Sequence, residues 1–132
     1  MNDDSARWLF FAHQDLRMSE LALGEGILTQ VCFHAQQCAE KALKAWLCEL
    51  GQQPPRTHRL ADLLALLPSN LMGTASASLL LLDRFYIPTR YPDAIPGALS
   101  AALPNKTDAQ EALELARYTL ARVENAMQDS TS

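Results

Sequence analysis

The chain has 132 residues, 48% of them hydrophobic, which is enough for one core of ordinary size and too little for two. Its 11 Lys and Arg residues are outnumbered by 15 Asp and Glu residues, and the formal net charge is −4. This balance excludes a protein that coats nucleic acid through bulk positive charge, so any basic site has to be local. We expect a single domain over residues 1–132.

Neither a targeting segment nor a membrane span is expected. Asp3 and Asp4 stand where a signal peptide needs positive charge, and no apolar run approaches the roughly 20 residues that span a bilayer. Cys32, Cys38 and Cys48 share one predicted helix and show no CxxC spacing. We expect a cytoplasmic protein with reduced, structural thiols, no metal and no cofactor.

The first two predicted helices carry apolar residues at helical spacing. Helix one is predicted over 5–23, where residues 2–5 offer side chains suited to the N-cap. The sequence GEG at 24–26 ends it. A longer helix is predicted over 27–50, and Gly51 stands in the C′ position that favours glycine.

Two shorter helices follow. Pro54 and Pro55 cannot continue a helix, so the third is predicted over 58–67, with Thr57 as its N-cap residue and Pro68 after its end. The fourth is predicted over 74–84, an Ala, Ser and Leu-rich stretch that begins after a glycine.

The segment 87–105 contains four prolines and a glycine, which predicts a long connection without a helix of its own. The last helix is predicted over 108–127, with a capping box formed by Thr107 and Gln110. No segment alternates at period two. These patterns predict an all-α protein, an up-and-down bundle of four or five helices. That architecture alone identifies no function.

Helix two carries a polar stripe on one face, because its members are three or four residues apart. The stripe consists of His34, Gln37, Lys41, Lys44 and Cys48. One interpretation is a solvated face on which Glu40 pairs with Lys44. The other is that Lys41 or Lys44 helps to bind an anion.

His58 lies at the predicted start of helix three, where unpaired backbone N–H groups favour anions. A lone histidine at such a place is more often structural. The other two histidines, His13 and His34, show no ligand spacing to it or to a carboxylate cluster, which argues against metal catalysis. The sequence gives no support for a serine or cysteine triad.

The densest chemical cluster in the sequence spans residues 83–93, DRFYIPTRYPD. Arginine binds phosphate in a bidentate manner, and tyrosine offers both a ring and a hydroxyl to a nucleotide. The alternative is that Arg84 and Arg90 pair with neighbouring aspartates and hold the loop in place. Chemistry alone leaves both interpretations open.

Three separated motifs occur in order along nearly the whole chain. They are FHAQQCAEKALK at 33–44, THRL at 57–60, and RFY at 84–86 followed by TRYPD at 89–93, ahead of an Ala-rich last helix. Together they resemble the HEPN family (higher eukaryotes and prokaryotes nucleotide-binding). The resemblance implies a helical bundle, a homodimer, nucleotide or RNA binding, and a partner protein that is a minimal nucleotidyltransferase.

Many HEPN proteins are toxin-like ribonucleases whose motif pairs an arginine with a histidine four to six residues beyond. Here Tyr91 stands at the end of the motif, six residues separate it from Arg84, and no histidine follows His58. A phenol is a poor general base at neutral pH, which puts RNA cleavage in doubt. Tyr91 could orient a bound phosphate or base, or its hydroxyl could accept a nucleotidyl group from a partner.

Three hypotheses follow for the function. The first is a HEPN dimer that binds nucleotide or RNA beside a nucleotidyltransferase, as in toxin–antitoxin pairs, with no catalytic residue of its own. Its predicted binding residues are Arg84, Arg90, Tyr91, Tyr86, Lys41, Lys44 and His58. The second is a metal-independent ribonuclease, and the third a non-catalytic interaction module.

Overall fold

The computed structural model describes residues 1–85 and 103–131. In these ranges the chain forms five α-helices and no strand, which confirms the all-α prediction. The helices are α1 (Asp3–Gly24), α2 (Leu28–Glu49), α3 (Leu60–Leu64), α4 (Ser76–Leu82) and α5 (Lys106–Thr131). Single 3-10 turns at Gly73–Ala75 and Asp83–Phe85 flank α4. None of these helices is long and apolar enough to cross a membrane.

Helix α2 is the centre of the bundle. It packs along α1 on one side and α5 on another, while α3 and α4 contact it from a third side. The small residues Ala35, Ala39 and Ala42 are fully buried, so neighbouring helices approach the α2 backbone closely. Polar as well as apolar residues of α2 are buried, and a buried charged or amide side chain on this helix needs a partner inside the protein.

The ends of α1 and α2 follow the sequence signals closely. The side chain of Asn2 accepts a hydrogen bond from the backbone N–H of Ser5 at 2.8 Å, which caps α1. Gly51 follows α2 with a φ of +80°, a left-handed conformation that glycine adopts without strain. The predicted helix boundaries here are within two residues of the observed ones.

The third helix is shorter than predicted, and its cap is a different residue. It covers only Leu60–Leu64, and Thr57 does not cap it. The carboxylate of Asp83, distant in sequence, accepts the backbone N–H groups of Leu60 at 2.7 Å and Ala61 at 3.2 Å. The helix therefore starts where this carboxylate can reach it.

The capping box of α5 also lies two residues earlier than predicted. The side chain of Asn105 accepts a hydrogen bond from the N–H of Asp108 at 2.8 Å, and the carboxylate of Asp108 accepts the N–H of Asn105 at 3.0 Å. Thr107 and Gln110 lie within the first turns of the helix instead. Most of the predicted connection 87–105, with Tyr86, Arg90 and Tyr91, lies outside the described residues.

All three cysteines are buried and unpaired, as predicted for structural thiols. Burial, and to a lesser degree the nearby Asp108 carboxylate, raise the pKa of Cys32 to about 12. Burial likewise raises the pKa of Cys38 to about 12. Since the thiolate is the reactive form, both groups are inert at neutral pH in the folded protein.

Replacing Asp83 with alanine should lower the free energy of unfolding by about 1–3 kcal/mol, because the N–H groups at the start of α3 lose a charged acceptor. Urea unfolding followed by circular dichroism measures this change. Asp62→Ala is the matched control, because Asp62 is exposed and accepts from the Thr57 hydroxyl. A loss no greater in D83A than in D62A would contradict the assigned cap.

Stability should also fall as the pH rises above about 9, the ordinary pKa of a thiol, towards about 12. The unfolded thiols ionise in this range while the folded thiols do not, so deprotonation favours unfolding. Urea midpoints measured between pH 8 and pH 10.5 should decline less in the double variant Cys32→Ala, Cys38→Ala. Equal declines in both proteins would show that other groups cause the effect.

Candidate functional site

Three buried polar residues follow one another along α2 at intervals of four. They are Gln36, Glu40 and Lys44, whose exposed fractions are 0%, 2% and 5%. Residues four apart lie on the same face of a helix, so these side chains form a continuous polar ladder inside the protein. The ladder connects α2 to α1, to the residues before α3, and to the 3-10 turn at Asp83–Phe85.

The lower rung is an ion pair removed from water. Lys44 Nζ lies 3.1 Å from Glu40 Oε2, and the two side chains are only 6% and 3% exposed. The ammonium group also lies 5.2 Å from the ring centroid of Trp8 on α1, a cation–π contact. The Glu40–Lys44 pair considered from the sequence is confirmed, but a solvated face is wrong, because α1 covers it.

His58 sits at the middle rung, on the outer edge of the ladder. Its Nδ1 lies 3.3 Å from Glu40 Oε1, while its side chain is 56% exposed. The side-chain amide of Gln37 donates to the same carboxylate oxygen at 3.3 Å. The buried carboxylate thus holds one side of the imidazole, and the other side reaches the surface.

Gln36, the upper rung, joins His58 to the Asp83–Phe85 turn. Its amide nitrogen donates to the backbone carbonyl of His58 at 2.7 Å and lies 3.3 Å from Asp83 Oδ1. Asp83 in turn caps α3, as described above. One buried amide therefore brings the start of α3 and the turn that carries Arg84 to the same edge of α2.

Arg84 lies at the surface of this edge, beside a groove of about 600 Å³ between α4 and α5. Its guanidinium carbon lies 4.5 Å from the ring centroid of Phe85, so the ring supports the group from below. Its ion pair with Asp108 is long, 3.4 Å from Nη2 to Oδ1, and the arginine side chain is 55% exposed. The planar fork is held in place and still accessible to solvent.

The other members of the predicted polar stripe serve a different contact. Asp15 of α1 is buried, accepts from His34 Nδ1 at 2.8 Å, and forms an ion pair with Lys41. Lys41 is therefore neutralised at the α1–α2 interface.

The described part of the chain also contains no group of three His, Cys, Asp or Glu side chains that could hold a metal ion.

Of the predicted site residues, the structure brings Arg84 and His58 to one edge. It pairs Lys41 with Asp15 of α1, and Lys44 with Glu40 within α2. Sequence reasoning missed the positioning roles of Gln36, Asp83 and Asp108. The four-residue spacing of Gln36, Glu40 and Lys44 between buried alanines and leucines was the available signal. Such a row on a helix that is apolar on every side indicates a buried ladder.

Replacing Glu40 with glutamine should lower the free energy of unfolding by on the order of 3 kcal/mol, because Lys44 becomes a buried charge without a partner. The double variant Glu40→Gln, Lys44→Met removes both charges and should recover a large part of that loss. Urea unfolding of the wild type, of Glu40→Gln, of Lys44→Met and of the double variant measures the coupling energy between the two side chains. The surface pair Asp4–Arg7 supplies the control variant, Asp4→Asn. Additive losses in the double variant would contradict a coupled buried pair.

Comparisons with known proteins agree with this architecture. A family model described as HEPN domain matches residues 5–126. The crystal structure of TT1696 from Thermus thermophilus is similar over 94% of this chain and 98% of that chain, with 39% identity and a TM-score of 0.83. The crystal structure of ST0689, an archaeal HEPN homologue, is similar over 96% of this chain and 99% of that chain, with 31% identity and a TM-score of 0.74. No curated protein matches the sequence. By its sequence and its fold, the chain belongs to the HEPN domain family.

Proposed function

We propose that this HEPN domain protein binds the phosphate of a nucleotide or of single-stranded RNA through Arg84. We further propose that it acts as a homodimer beside a minimal nucleotidyltransferase partner. The observation that carries the binding proposal is the exposed guanidinium of Arg84, stacked on Phe85 and paired only loosely with Asp108. The homodimer and the partner rest on family resemblance, including the motif that ends at Tyr91.

The position of Arg84 favours a bound anion over a purely structural pair. A stabilising arginine–carboxylate pair is usually shorter than about 3 Å and often bidentate, whereas the contact to Asp108 is single and 3.4 Å long. Stacking on Phe85 lowers the entropy that the side chain loses on binding, since its orientation is already restricted. A phosphate oxygen pair matches the free face of such a fork.

The groove beside Arg84 restricts where that phosphate can lie. Its floor is apolar and includes Leu81 and Leu115, but Asp108, Glu111 and Glu114 contribute carboxylates along α5. These charges repel a polyphosphate that runs along α5. The phosphate is therefore expected at the Arg84 end, with an uncharged part of the ligand, such as a base, nearer the groove floor.

Other predicted binding residues enter the proposal in different ways. His58 shares the edge of α2 with Arg84 through Gln36, and its imidazole is exposed enough to contact an RNA strand. Tyr86, Arg90 and Tyr91 follow Arg84 closely in sequence and add one positive charge and two stacking groups. Lys41 and Lys44 are left out, because carboxylates already neutralise both.

Calorimetric titration of the full chain with ATP, GTP and a short single-stranded RNA tests the proposal. Arg84→Ala should weaken binding about tenfold or more, and Arg84→Lys should restore only part of it, since a lysine lacks the bidentate fork. Binding should weaken as salt rises, because phosphate contacts release counterions. Asp108→Asn should tighten binding, because it removes the competing carboxylate.

Arg7→Ala is the matched control, because Arg7 is an exposed arginine whose ion pair with Asp4 lies on α1. It should leave the titrations unchanged. Thermal unfolding of each variant separates loss of binding from loss of folded protein. If folded wild type binds none of the three ligands, or if R84A and R7A behave alike, the binding proposal is wrong and the interaction module becomes the better hypothesis.

A further inference from the structure

The α5 wall of the groove beside Arg84 is built from residues that share one helix face. Asp108, Glu111, Leu115 and Tyr118 line it, and successive members are three or four residues apart. Ten residues of α-helix are about 15 Å long, so this wall has room for one nucleotide whose phosphate lies at the Arg84 end. The groove volume of about 600 Å³ is within the range of small-molecule sites.

The three carboxylates along this wall differ in what they already bind. Asp108 pairs with Arg84 at 3.4 Å, and Glu114 pairs with Arg117 at 2.5 Å. Within the described ranges, the exposed side chain of Glu111 makes no hydrogen bond or ion pair. Both oxygens of the Glu111 carboxylate are therefore available to a ligand in the groove.

Apolar and aromatic side chains of the groove offer a surface to a planar base. Leu81 of α4 and Tyr118 of α5 are 60% and 44% exposed, and Leu115 is half-buried. A base that lies on this surface buries its faces, and its polar edge then needs hydrogen-bond partners in the groove. Glu111 is the charged group on the wall that is able to supply them.

A carboxylate distinguishes between bases because an ionised carboxylate only accepts hydrogen bonds. Guanine presents two neighbouring donors, N1–H and the exocyclic amino group, which match the two oxygens. In adenine and cytosine an acceptor nitrogen stands beside the amino group, and in uracil two carbonyl oxygens flank the N–H group. A carboxylate repels these lone pairs, so guanine is the base that it binds in a bidentate manner.

From these observations we infer that the groove selects guanine and that Glu111 determines this preference. The ligand is a guanosine 5′-phosphate unit, with its phosphate on Arg84 and its N1–H and amino groups on Glu111. The inference rests on the proposed phosphate site and names the base that accompanies the phosphate. Free guanosine monophosphate (GMP) and a guanosine within single-stranded RNA share this chemistry.

Calorimetric titration of the full chain with the monophosphates of guanosine, inosine, adenosine and cytidine tests the preference. GMP should bind about tenfold or more tightly than the adenosine (AMP) and cytidine nucleotides. Inosine monophosphate, which keeps N1–H and lacks the amino group, should lie between them. Equal affinities for GMP and AMP, both weakened by Arg84→Ala, would overturn the guanine preference and leave the phosphate site in place. No binding of any mononucleotide or RNA would overturn both.

Glu111→Gln tests the role assigned to this residue. The new amide both donates and accepts, which suits adenine, so GMP binding should weaken about tenfold and AMP binding should tighten. Glu114→Gln is the matched control, because it removes the same charge from a carboxylate that Arg117 already engages, and it should keep the preference for GMP. Both positions are exposed, so circular dichroism should show unchanged folding. Equal effects of the two variants would reflect charge in general and overturn the role of Glu111.

Two single-stranded RNAs distinguish the sources of the ligand, an oligouridine and the same strand with one guanosine. Tighter binding of the strand with guanosine, lost in Glu111→Gln, would support the inference and identify RNA as the ligand. A guanine preference seen with mononucleotides and not with these strands would support it for the free nucleotide. Absence of the preference in both series would overturn it.

Discussion

The carboxylate of Glu40 lies in the middle of a helix that is buried on nearly every side, and the surrounding structure has to compensate its charge. Lys44 supplies the counter-charge one turn away, Trp8 covers the ammonium group, and His58 approaches the second oxygen. A charge left alone at this place would cost several kcal/mol. The positions of α1 and of the segment before α3 relative to α2 therefore depend on the side chain of Glu40.

A second set of buried hydrogen bonds, made by Gln36 and Asp83, determines the geometry of the candidate site. Gln36 connects the His58 carbonyl to the Asp83 carboxylate, and Asp83 caps α3. Neither residue is a candidate ligand contact itself. Together they fix the turn that carries Arg84, so the exposed chemistry at the surface rests on buried hydrogen bonds that have no direct part in binding.

The sequence predicted the long helices well, because apolar periodicity and the glycine at position 51 are local signals. It predicted the wrong capping residues for α3 and α5. The cap of α3 comes from Asp83, 23 residues after Leu60, and local patterns carry no information on such a partner. Arg84 was predicted as a binding residue from the composition of its segment and stays a prediction. The burial of Lys44 was missed, because a polar stripe on a helix resembles a solvated face until tertiary packing covers it.

Because α2 is central, it resists local unfolding more strongly than the short helices α3 and α4 do. Its backbone is enclosed by α1, α5 and the α3–α4 edge, so hydrogen exchange there requires separation of the whole bundle. The short α3 and α4 contact α2 less extensively than α1 and α5 do, through a few side-chain hydrogen bonds and a small number of buried leucines. Fluctuations that release this edge leave the three long helices assembled, and they change the surface that carries Arg84 and His58 without passing through the unfolded state.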